Sequence, residues 1–587
     1  MVEPRFRWTF PDVVTSPDAS AVVARDGAVS ARLASLLAAR GVVTDDDLVA
    51  WFADPLDGLH DPARLPDADR LFDRLCRARD DRERVLVFGD FDADGLTGLA
   101  IMTIALRRLG VAVEPYVPSR LDEGHGLSLA ALDAAQRSGA TVIVTVDCGT
   151  TSVTEIGIAN ERGIDVIVTD HHRVPAVLPA AVAIVNPHRP DSTYPDRRLA
   201  GSGVAFKIAQ LLLSATPDGA AAALDLADLA TIGTVADVAP IVGENRSIAR
   251  LGLERLRRAP RPGIAALLER ARVAPEAVDL ETISFAIAPR LNAAGRVGEA
   301  LEAARLLLAE DALEAATHAD ALEAANLTRR DLMKAAVAEA RAAVDGSQVD
   351  AATVIRGPWG VGIVGLVASR LADDRGRPAV VGADLGDVVR ASCRSDGSLD
   401  LGATLERCAD LFIRFGGHAG AAGFEIAADR WDEFRERFLG LAAETAPADP
   451  RVSIAIDLAL PAGDVDYALH RELAGLAPCG PGNRDPLVAV LGLTVTRVRA
   501  ASGGHSQLTM RRERDVLDGI AFGRPDIAEV VREGDRLDVV ARLVSRTFGG
   551  YESLQLDIRD VATSGSHPES AALLASWVRP SLVGSTS

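Results

Sequence analysis

The chain has 587 residues, 48% of them hydrophobic and only 4% aromatic, and its formal net charge is −20. A chain of this length exceeds what one hydrophobic core supports, so we expect two to four domains. The apolar content excludes a disordered protein, and the acidic balance excludes a protein that coats nucleic acid through bulk positive charge. A nucleic-acid enzyme is still allowed, because bound cations offset the charge of clustered metal-binding aspartates.

Neither the cysteines nor the apolar runs indicate a secreted or membrane protein. The five cysteines are far apart and form no CxxC pair, which argues against a zinc ribbon and a disulfide framework. The first residues, MVEPRFRWTFPDVV, contain no apolar run of signal-peptide length, and we find no apolar stretch long enough to span a bilayer. We therefore expect a cytoplasmic protein without a membrane partner.

The first half of the chain predicts helices followed by an α/β domain. Residues 1–80 contain amphipathic patterns such as LASLLAARGV and predict a helical region. Three short runs rich in β-branched residues follow, at 84–88, 141–146 and 165–169. Helical patterns separate them, which is typical of a parallel sheet covered on both faces. We assign this domain to residues 81–298.

The second half predicts a long helix, another α/β domain and a small β domain. Residues 299–345 lack proline and glycine and predict one or two long connecting helices. A second α/β domain is expected at 346–447. Residues 448–562 contain period-two segments such as LTVTRVRA, which are typical of a small antiparallel barrel or sandwich. The tail at 563–587 is expected to be loosely held.

Three aspartates stand at alternate positions after the first predicted strand, in GDFDADG. Asp90, Asp92 and Asp94 cannot belong to a core strand, because burying unpaired carboxylates is costly. An EF-hand loop also begins D-x-D-x-D-G, but it needs a bidentate Glu at its twelfth position, which here is Ile101. We therefore favour a metal site at the carboxyl end of a parallel strand, where doubly wound sheets bind ligands.

The next two predicted strands also end in carboxylate or imidazole groups. Asp147 follows TVIVTV, and Asp170, His171 and His172 follow DVIVT. A single Asp after a strand is usually a helix N-cap, and for Asp147 alone that interpretation is the better one. Three strands that end alike at one edge favour a shared site instead. Asp237, in GTVADVAP, adds an acid in an apolar setting, although this motif alone is a weak signal.

The ligand types indicate which ions would bind and what they would do. Aspartate and histidine without cysteine favour Mn²⁺ or Mg²⁺ over structural zinc. The number of carboxylates exceeds the need of one ion, so we predict two ions, roughly 3.5–4 Å apart, that activate water and stabilise a phosphoryl group. The sequence has no GxxxxGK[ST] motif, so P-loop ATP hydrolysis has no support.

The motifs GDFDADG, VTVDCG, VTDHH and GTVADVAP resemble the four signature motifs of the DHH phosphoesterases, in order and spacing. Further segments are similar to the longer, single-strand-specific DNA exonucleases of this superfamily: LAGSGVAFK (199–207), ENR (244–246), PRLNAAGR (289–296), VGLVASRL (364–371), FGGHAGAAGF (415–424) and APCGPGNRDP (477–486). The resemblance covers nearly the whole chain. It implies an α/β fold with a parallel-sheet DHH domain, a long connecting helix, an α/β DHHA1 domain and an OB-fold barrel.

The resemblance also implies roles for the acids and histidines. The metal ligands would be Asp92, Asp94, Asp147, His171 and Asp237, with Asp147 bridging both ions. His172 would lie beside the scissile phosphate or assist a ligand, and Asp90 and Asp170 would orient the ligands. Two positions depart from the family pattern: Phe88 stands where several relatives carry a His, and Gly360 follows Trp359 where a His is frequent.

Candidate substrate contacts lie in the glycine-rich and arginine-rich segments. Arg290, Asn292 and Arg296 occupy an acid-free stretch and would contact phosphate, although a solvated loop is the simpler interpretation. The other candidates are Gly417, His418 and Arg370. In the predicted barrel, residues 495–514 hold five arginines against one acid, which suggests a strand-binding groove or an ordinary charged hairpin.

The function implied is stepwise 5′→3′ hydrolysis of single-stranded DNA to mononucleotides, in DNA repair and recombination. The residues alone support only metal-assisted phosphodiester hydrolysis. The alternatives are a DHH phosphodiesterase for short oligonucleotides or cyclic dinucleotides, and a non-catalytic replication scaffold of the same fold. Single-stranded DNA is the expected partner, a single-strand-binding protein and a helicase are candidate protein partners, and we expect a monomer.

Overall fold

The computed structural model describes residues 2–10, 30–120, 123–259, 261–344, 351–445, 449, 451–548 and 551–578. The chain divides into two compact units. One contains the described residues of Met1–Ala53, Arg451–Cys479 and Asn483–Ser587, and the other contains those of Asp54–Pro450 and Gly480–Gly482. The predicted domain boundaries are finer than this division and stay predictions.

The N-terminal region contains a strand as well as helices. Its elements are β1 (Arg7–Thr9), α1 (Ala31–Ala38), α2 (Asp45–Phe52) and α3 (Ala68–Asp80). Strand β1 pairs in parallel with residues 453–455, and the Trp8 indole donates to the buried Asp560 carboxylate at 2.9 Å. The interpretation of residues 1–80 as helical missed this strand because three residues are too few to show a period.

A five-stranded parallel sheet forms the centre of the larger unit. Its elements are β2 (Arg84–Gly89), α4 (Ala93–Leu109), β3 (Ala112–Tyr116), α5 (Leu129–Ser138), β4 (Ala140–Val146), α6 (Val153–Glu161), β5 (Asp165–Thr169) and β6 (Ala183–Val185). The strand order is β3-β2-β4-β5-β6. Val85 and Val87 pack in one core and Leu86 and Phe88 in another, so both faces are covered. The predicted parallel sheet is confirmed, and all its carboxyl ends share one edge.

Helices complete this part of the unit. They are α7 (Gly201–Leu213), α8 (Gly219–Leu224), α9 (Ala227–Ala236), α10 (Gly243–Leu256), α11 (Pro262–Ala271), α12 (Leu280–Thr282), α13 (Ala288–Val297), α14 (Leu301–Leu308) and α15 (Ala312–Val344). A π-helical stretch, Ile283–Ile287, joins α12 to α13. Helix α15 has 33 residues and is the predicted long connecting helix.

One stretch of the described residues, Gly219–Ala236, is long and apolar enough to cross a membrane by length and composition. The expectation that no such stretch exists is therefore wrong. In the structure α8 and α9 share this stretch, and 67% of it is buried inside the protein. Core helices of folded domains pass the same test.

A second α/β domain follows the long helix. Its elements are β7 (Thr353–Gly357), α16 (Val361–Arg375), β8 (Ala379–Asp384), β9 (Val388–Arg394), α17 (Leu401–Glu406), β10 (Phe412–Gly417), β11 (Ala421–Ala427) and α18 (Trp431–Thr445). The strand order is β10-β11-β9-β8-β7. Only β7 and β8 pair in parallel, because α16 crosses over between them.

The smaller unit is built on a closed β-barrel. Its further elements are β12 (Ser453–Ala455), β13 (Leu458–Leu460), α19 (Tyr467–Ala474), β14 (Val488–Ala501), β15 (His505–Arg512), β16 (Asp515–Ala521), α20 (Pro525–Val530), β17 (Arg536–Phe548), β18 (Tyr551–Thr563) and α21 (Pro568–Val578). Strand β14 pairs with both β15 and β17, which closes a five-stranded barrel. The predicted OB-like barrel is confirmed.

Candidate metal centre

The first acidic motif forms the turn between β2 and α4. Asp92 is the N-cap of α4, and its carboxylate accepts hydrogen bonds from the Asp94 and Gly95 amides at 3.0 and 3.1 Å. Ile101 is fully buried inside the same helix. A helix at this position rules out the EF-hand interpretation, because the twelfth loop position of an EF-hand must supply a carboxylate.

Asp94 is buried and held by a second helix. The amides of Gly201 and Ser202, in the first turn of α7, donate to its two carboxylate oxygens at 2.7 and 3.0 Å. The side chain is only 2% exposed. The first turn of α7, in LAGSGVAFK, therefore orients an acid of the first motif.

The acids and histidines after β4 and β5 meet at the same edge of the sheet. Asp147 has a left-handed backbone, φ 64°, and its Oδ1 lies 3.0 Å from His171 Nε2. His171 Nε2 also lies 3.8 Å from an Asp94 oxygen and 3.9 Å from an Asp237 oxygen. Asp237 follows α9 as its C-cap. The imidazole of His171 therefore brings three motifs to one place.

Asp170 orients both histidines rather than facing the centre. Its carboxylate accepts hydrogen bonds from the backbone amides of Thr150, His171 and His172. The same carboxylate lies 2.8 Å from His172 Nδ1. Burial would raise the pKa of Asp170, but the His172 hydrogen bond and charge outweigh it and hold this pKa far below its usual range. That contact raises the pKa of His172 to about 9.

Three groups of side chains place their ligand atoms within 4.8 Å of one another and could each hold a metal ion. The groups are Asp90 with Asp92 and Asp147, Asp94 with His171 and Asp237, and Asp147 with His171 and His172. Because Asp147 belongs to two groups and all three share one edge, they form one connected centre. This arrangement suits hard divalent cations, since most of the donor atoms are carboxylate oxygens.

The electrostatics of the centre also point to a cation. Burial, followed by repulsion from neighbouring acids, raises the pKa of Asp92 to about 6 and that of Asp237 to about 7, and it raises that of Asp147 well above its usual range. Among the described residues, Asp147 Oδ1 and His171 Nε2 are buried without a hydrogen-bond partner, although they approach to 3.0 Å. A divalent cation would satisfy these atoms and remove the repulsion.

Comparisons with known proteins show which family the chain belongs to. The DHH family N-terminal domain matches residues 84–234, the DHHA1 domain matches residues 348–444, and the RecJ OB domain matches residues 456–560. The single-stranded-DNA-specific exonuclease RecJ of Bacillus subtilis is 35% identical over 539 residues, which are 91% of this chain and 68% of that protein. The chain belongs to the RecJ family.

Solved structures of the RecJ family contain the predicted metals. The crystal structure of RecJ from Thermus thermophilus in complex with Mn²⁺ has a TM-score of 0.79 and 30% identity, covering 95% of this chain and 80% of that one. The Mg²⁺ complex of the same protein has a TM-score of 0.74 and 29% identity, covering 95% and 78%. The acidic groups of this chain fit the same two ions.

A cluster of four arginines lies beside the acids in this member of the RecJ family: Arg120, Arg296, Arg329 and Arg394. Burial, followed by the charges of the other three, lowers the pKa of Arg296 to about 9. Among the described residues, none of these four groups forms a salt bridge with a carboxylate, and Arg120 lies near enough to Asp90 and Asp92 to feel their charge. Of these four, sequence reasoning found only Arg296, because the four arginines are far apart in the chain and belong to no common motif.

The predicted substrate residues of PRLNAAGR have different surroundings. Arg290 pairs with Glu323 at 2.6 Å and donates to the Ala286 carbonyl, so a phosphate contact would require that pair to open. Asn292 accepts from the Ala93 amide at 2.7 Å and thereby supports the acidic turn. Arg296 donates to the Gly362 carbonyl at 2.9 Å and lines a cavity of about 190 Å³ beside Asp237.

The remaining predicted contacts lie in the second α/β domain. Gly417 ends β10, and the His418 amide donates to the Ala421 carbonyl at 2.8 Å where the chain turns into β11. Arg370 lies on α16 and pairs with Asp374 at 3.3 Å. The role of all three in substrate binding stays a prediction.

Two further residues complete the surroundings of the acidic turn. Phe88 is fully buried and stacks on Tyr116, so the position where several relatives carry a histidine provides no ligand here. His125, which sequence reasoning missed, places Nδ1 3.1 Å from an Asp90 oxygen. Its side chain is 70% exposed.

Proposed function

We propose that this chain is a hydrolase that degrades single-stranded DNA from its 5′ end and releases mononucleotides. The observation that carries the proposal is the connected carboxylate and imidazole centre at the carboxyl edge of the parallel sheet. Support comes from relatives named single-stranded-DNA-specific exonucleases and from their crystal structures with Mn²⁺ and Mg²⁺.

The proposed ligands are Asp92, Asp94, Asp147, His171 and Asp237. When bound, two divalent ions would activate a water molecule and neutralise charge on the phosphoryl group under attack. The chain itself holds these side chains in place through helix N-termini and through Asp170, so little reorganisation is needed.

His172 is proposed to act on the substrate rather than on the ions alone. In the metal-free protein its pKa of about 9 keeps the imidazole protonated at neutral pH, and its side chain is 48% exposed. The protonated imidazole of His172 would donate a hydrogen bond to an oxygen of the scissile phosphate. Asp170 fixes the ring through Nδ1, which leaves Nε2 for that contact.

The arginine cluster is proposed to bind the terminal phosphate of the strand. Four guanidinium groups without carboxylate partners among the described residues form a local cationic site beside the metal centre. A phosphate there would relieve their mutual repulsion and would place the first phosphodiester bond at the acids. This gives a physical reason for action from a 5′-phosphorylated end.

Nuclease assays on defined substrates test the proposal. Dinucleotides, cyclic dinucleotides, and single- and double-stranded DNA and RNA labelled at the 5′ or the 3′ end are incubated with Mn²⁺, Mg²⁺ or EDTA, with Asp147→Ala as the matched inactive variant. We expect mononucleotides from the 5′ end of single-stranded DNA, only with metal. Cleavage confined to dinucleotides or cyclic dinucleotides would indicate the small-substrate diesterase, and no turnover would indicate a scaffold.

We further propose a cytoplasmic monomer that works with a single-strand-binding protein and a helicase in DNA repair and recombination. The family resemblance supports these partners and this setting. The proposed domains are residues 1–80, 81–298, 299–345, 346–447, 448–562 and 563–587, supported by the three matched ranges. Light scattering of the full chain tests the monomer, and a dimer would exclude it.

A further inference from the structure

Two glycines lie against the proposed metal ligands. Gly201 begins α7, and Gly233 lies in α9 at the start of GTVADVAP. Both are buried, and neither has a positive φ, so backbone conformation alone would allow an alanine at either position. The reason for glycine must therefore be the space around each Cα.

A methyl group at Gly201 would collide with Asp147. Its Cβ would lie 2.4 Å from Asp147 Oδ1 and 2.6 Å from both the Cβ and the Cγ of that residue. The Asp147 side chain cannot move aside at its base, because its backbone is already held in the left-handed region at φ 64°. Rotation of the carboxylate would leave the 2.6 Å contact with Asp147 Cβ, so the helix or the Asp147 backbone would have to shift.

A methyl group at Gly233 would collide with Asp94 from the other side. Its Cβ would lie 2.5 Å from Asp94 Oδ1, 2.2 Å from Ser202 Oγ and 2.4 Å from Thr97 Oγ1. The amides of Gly201 and Ser202 hold both carboxylate oxygens of Asp94. A displacement of this carboxylate would therefore weaken these hydrogen bonds.

We propose that Gly201 and Gly233 are positioning residues of the metal centre, because the missing side chains set where the Asp94 and Asp147 carboxylates lie and thereby set the affinity for Mn²⁺. This inference rests on the proposed function of those two aspartates. It also accounts for the first glycine of GSGVAFK and the glycine of GTVADVAP.

The test measures Mn²⁺ binding to the full-length protein, without relying on activity. Metal-free Gly201→Ala and Gly233→Ala are titrated with Mn²⁺, and the free ion is followed by electron paramagnetic resonance. Groups that orient metal ligands typically contribute 10–100-fold to affinity, so we expect each dissociation constant to rise at least about tenfold. Thermal unfolding in EDTA reports the fold separately.

Two other glycines provide matched controls. Gly203→Ala lies on the same helix as Gly201, where the three atoms nearest its Cβ would belong to Leu199, the nearest at 3.4 Å. Gly382→Ala lies on β8 in the second α/β domain, where its Cβ would crowd the apolar Val389 Cγ1 at 2.6 Å and the Trp431 ring at 2.9 Å. We expect both controls to bind Mn²⁺ within about twofold of the parent, although Gly382→Ala lowers the melting temperature.

The outcomes separate this inference from the proposed function. Unchanged Mn²⁺ affinity in both test variants would overturn the inference, as would loss of folding in both while Gly382→Ala folds, because the glycines would then serve the fold alone. If only one test variant folds, its Mn²⁺ affinity alone decides whether the inference holds. Asp147→Ala is measured in parallel, and if that variant still binds Mn²⁺ like the parent, the proposed metal centre itself is wrong.

Discussion

The substitution Asp92→Asn tests how strongly the acidic centre destabilises the metal-free protein. Burial and the neighbouring acids Asp90 and Asp94 raise the pKa of Asp92 from 3.8 to about 6. At 1.36 kcal/mol per pKa unit, this shift corresponds to about 3 kcal/mol of destabilisation of the folded protein by the ionised carboxylate. Partial exposure and local relaxation reduce this to about 1–2 kcal/mol. Asparagine keeps the shape and still caps α4 through its side-chain oxygen, so the substitution removes only the charge.

The dependence on pH follows from the direction of the shift. A carboxyl group whose pKa is raised on folding binds protons more tightly in the native state, so native stability falls as pH rises between the two pKa values. The penalty from Asp92 is therefore absent below about pH 4 and complete above about pH 6. Replacing the group should stabilise the protein at pH 8 and have little effect at pH 4.

Thermal unfolding in EDTA measures this difference. We expect Asp92→Asn to melt about 2–4 °C above the parent at pH 8, with the gain shrinking towards pH 4. In saturating Mn²⁺ the order should reverse, because only the parent gains full binding energy. The exposed Asp69→Asn, also in the first turn of a helix, serves as the control and should show no gain. An Asp92→Asn variant that is no more stable at pH 8, or equally stabilised at pH 4, would refute the reasoning.

Three further predictions concern the same centre. Val238 has a left-handed backbone at φ 60°, which costs a β-branched residue about 1–2 kcal/mol, so Val238→Gly should raise the melting temperature in EDTA; a lower value would contradict this. Because Asp92 and Asp237 have pKa values of about 6 and 7, Mn²⁺ should bind at least about tenfold more weakly at pH 6 than at pH 8, and calorimetry showing equal affinities would exclude proton competition. Arg394→Gln should raise KM for 5′-phosphorylated DNA about tenfold or more while leaving a 5′-hydroxyl substrate nearly unchanged; equal effects would place the terminal phosphate elsewhere.

Three of the proposed ligands could be predicted from the residues because each follows a strand. Asp92, Asp147 and His171 come after runs of β-branched residues, and the carboxyl ends of parallel strands meet at one edge. A local sequence pattern therefore predicted that residues far apart in the chain lie close together in the fold. Asp237 follows a helix, so only the family resemblance indicated its place.

The cationic side of the centre could not be predicted in this way. Arg120 lies in a loop, Arg329 on the long helix and Arg394 at the end of a strand in the second α/β domain. No period or motif links these positions, because their proximity depends on how the two α/β domains pack. The pairing of Arg290 with Glu323 depends instead on how α13 packs against α15, and it leaves Arg290 paired and buried where the sequence predicted a phosphate contact.

The opposite pKa shifts of the acids and the arginines describe one arrangement. The pKa of the Asp92 carboxyl is raised and the pKa of the Arg296 guanidinium is lowered, so both groups are less stable in their charged forms than usual. These shifts persist even though Arg120 lies near both the acids and Arg296. Folding therefore keeps like charges together instead of pairing each acid with a base, which is unfavourable in the free protein. Such a separation is relieved only by ligands of both signs, and divalent cations with a phosphate strand supply them. This is how a chain with a net charge of −20 can present a local site for a polyanion.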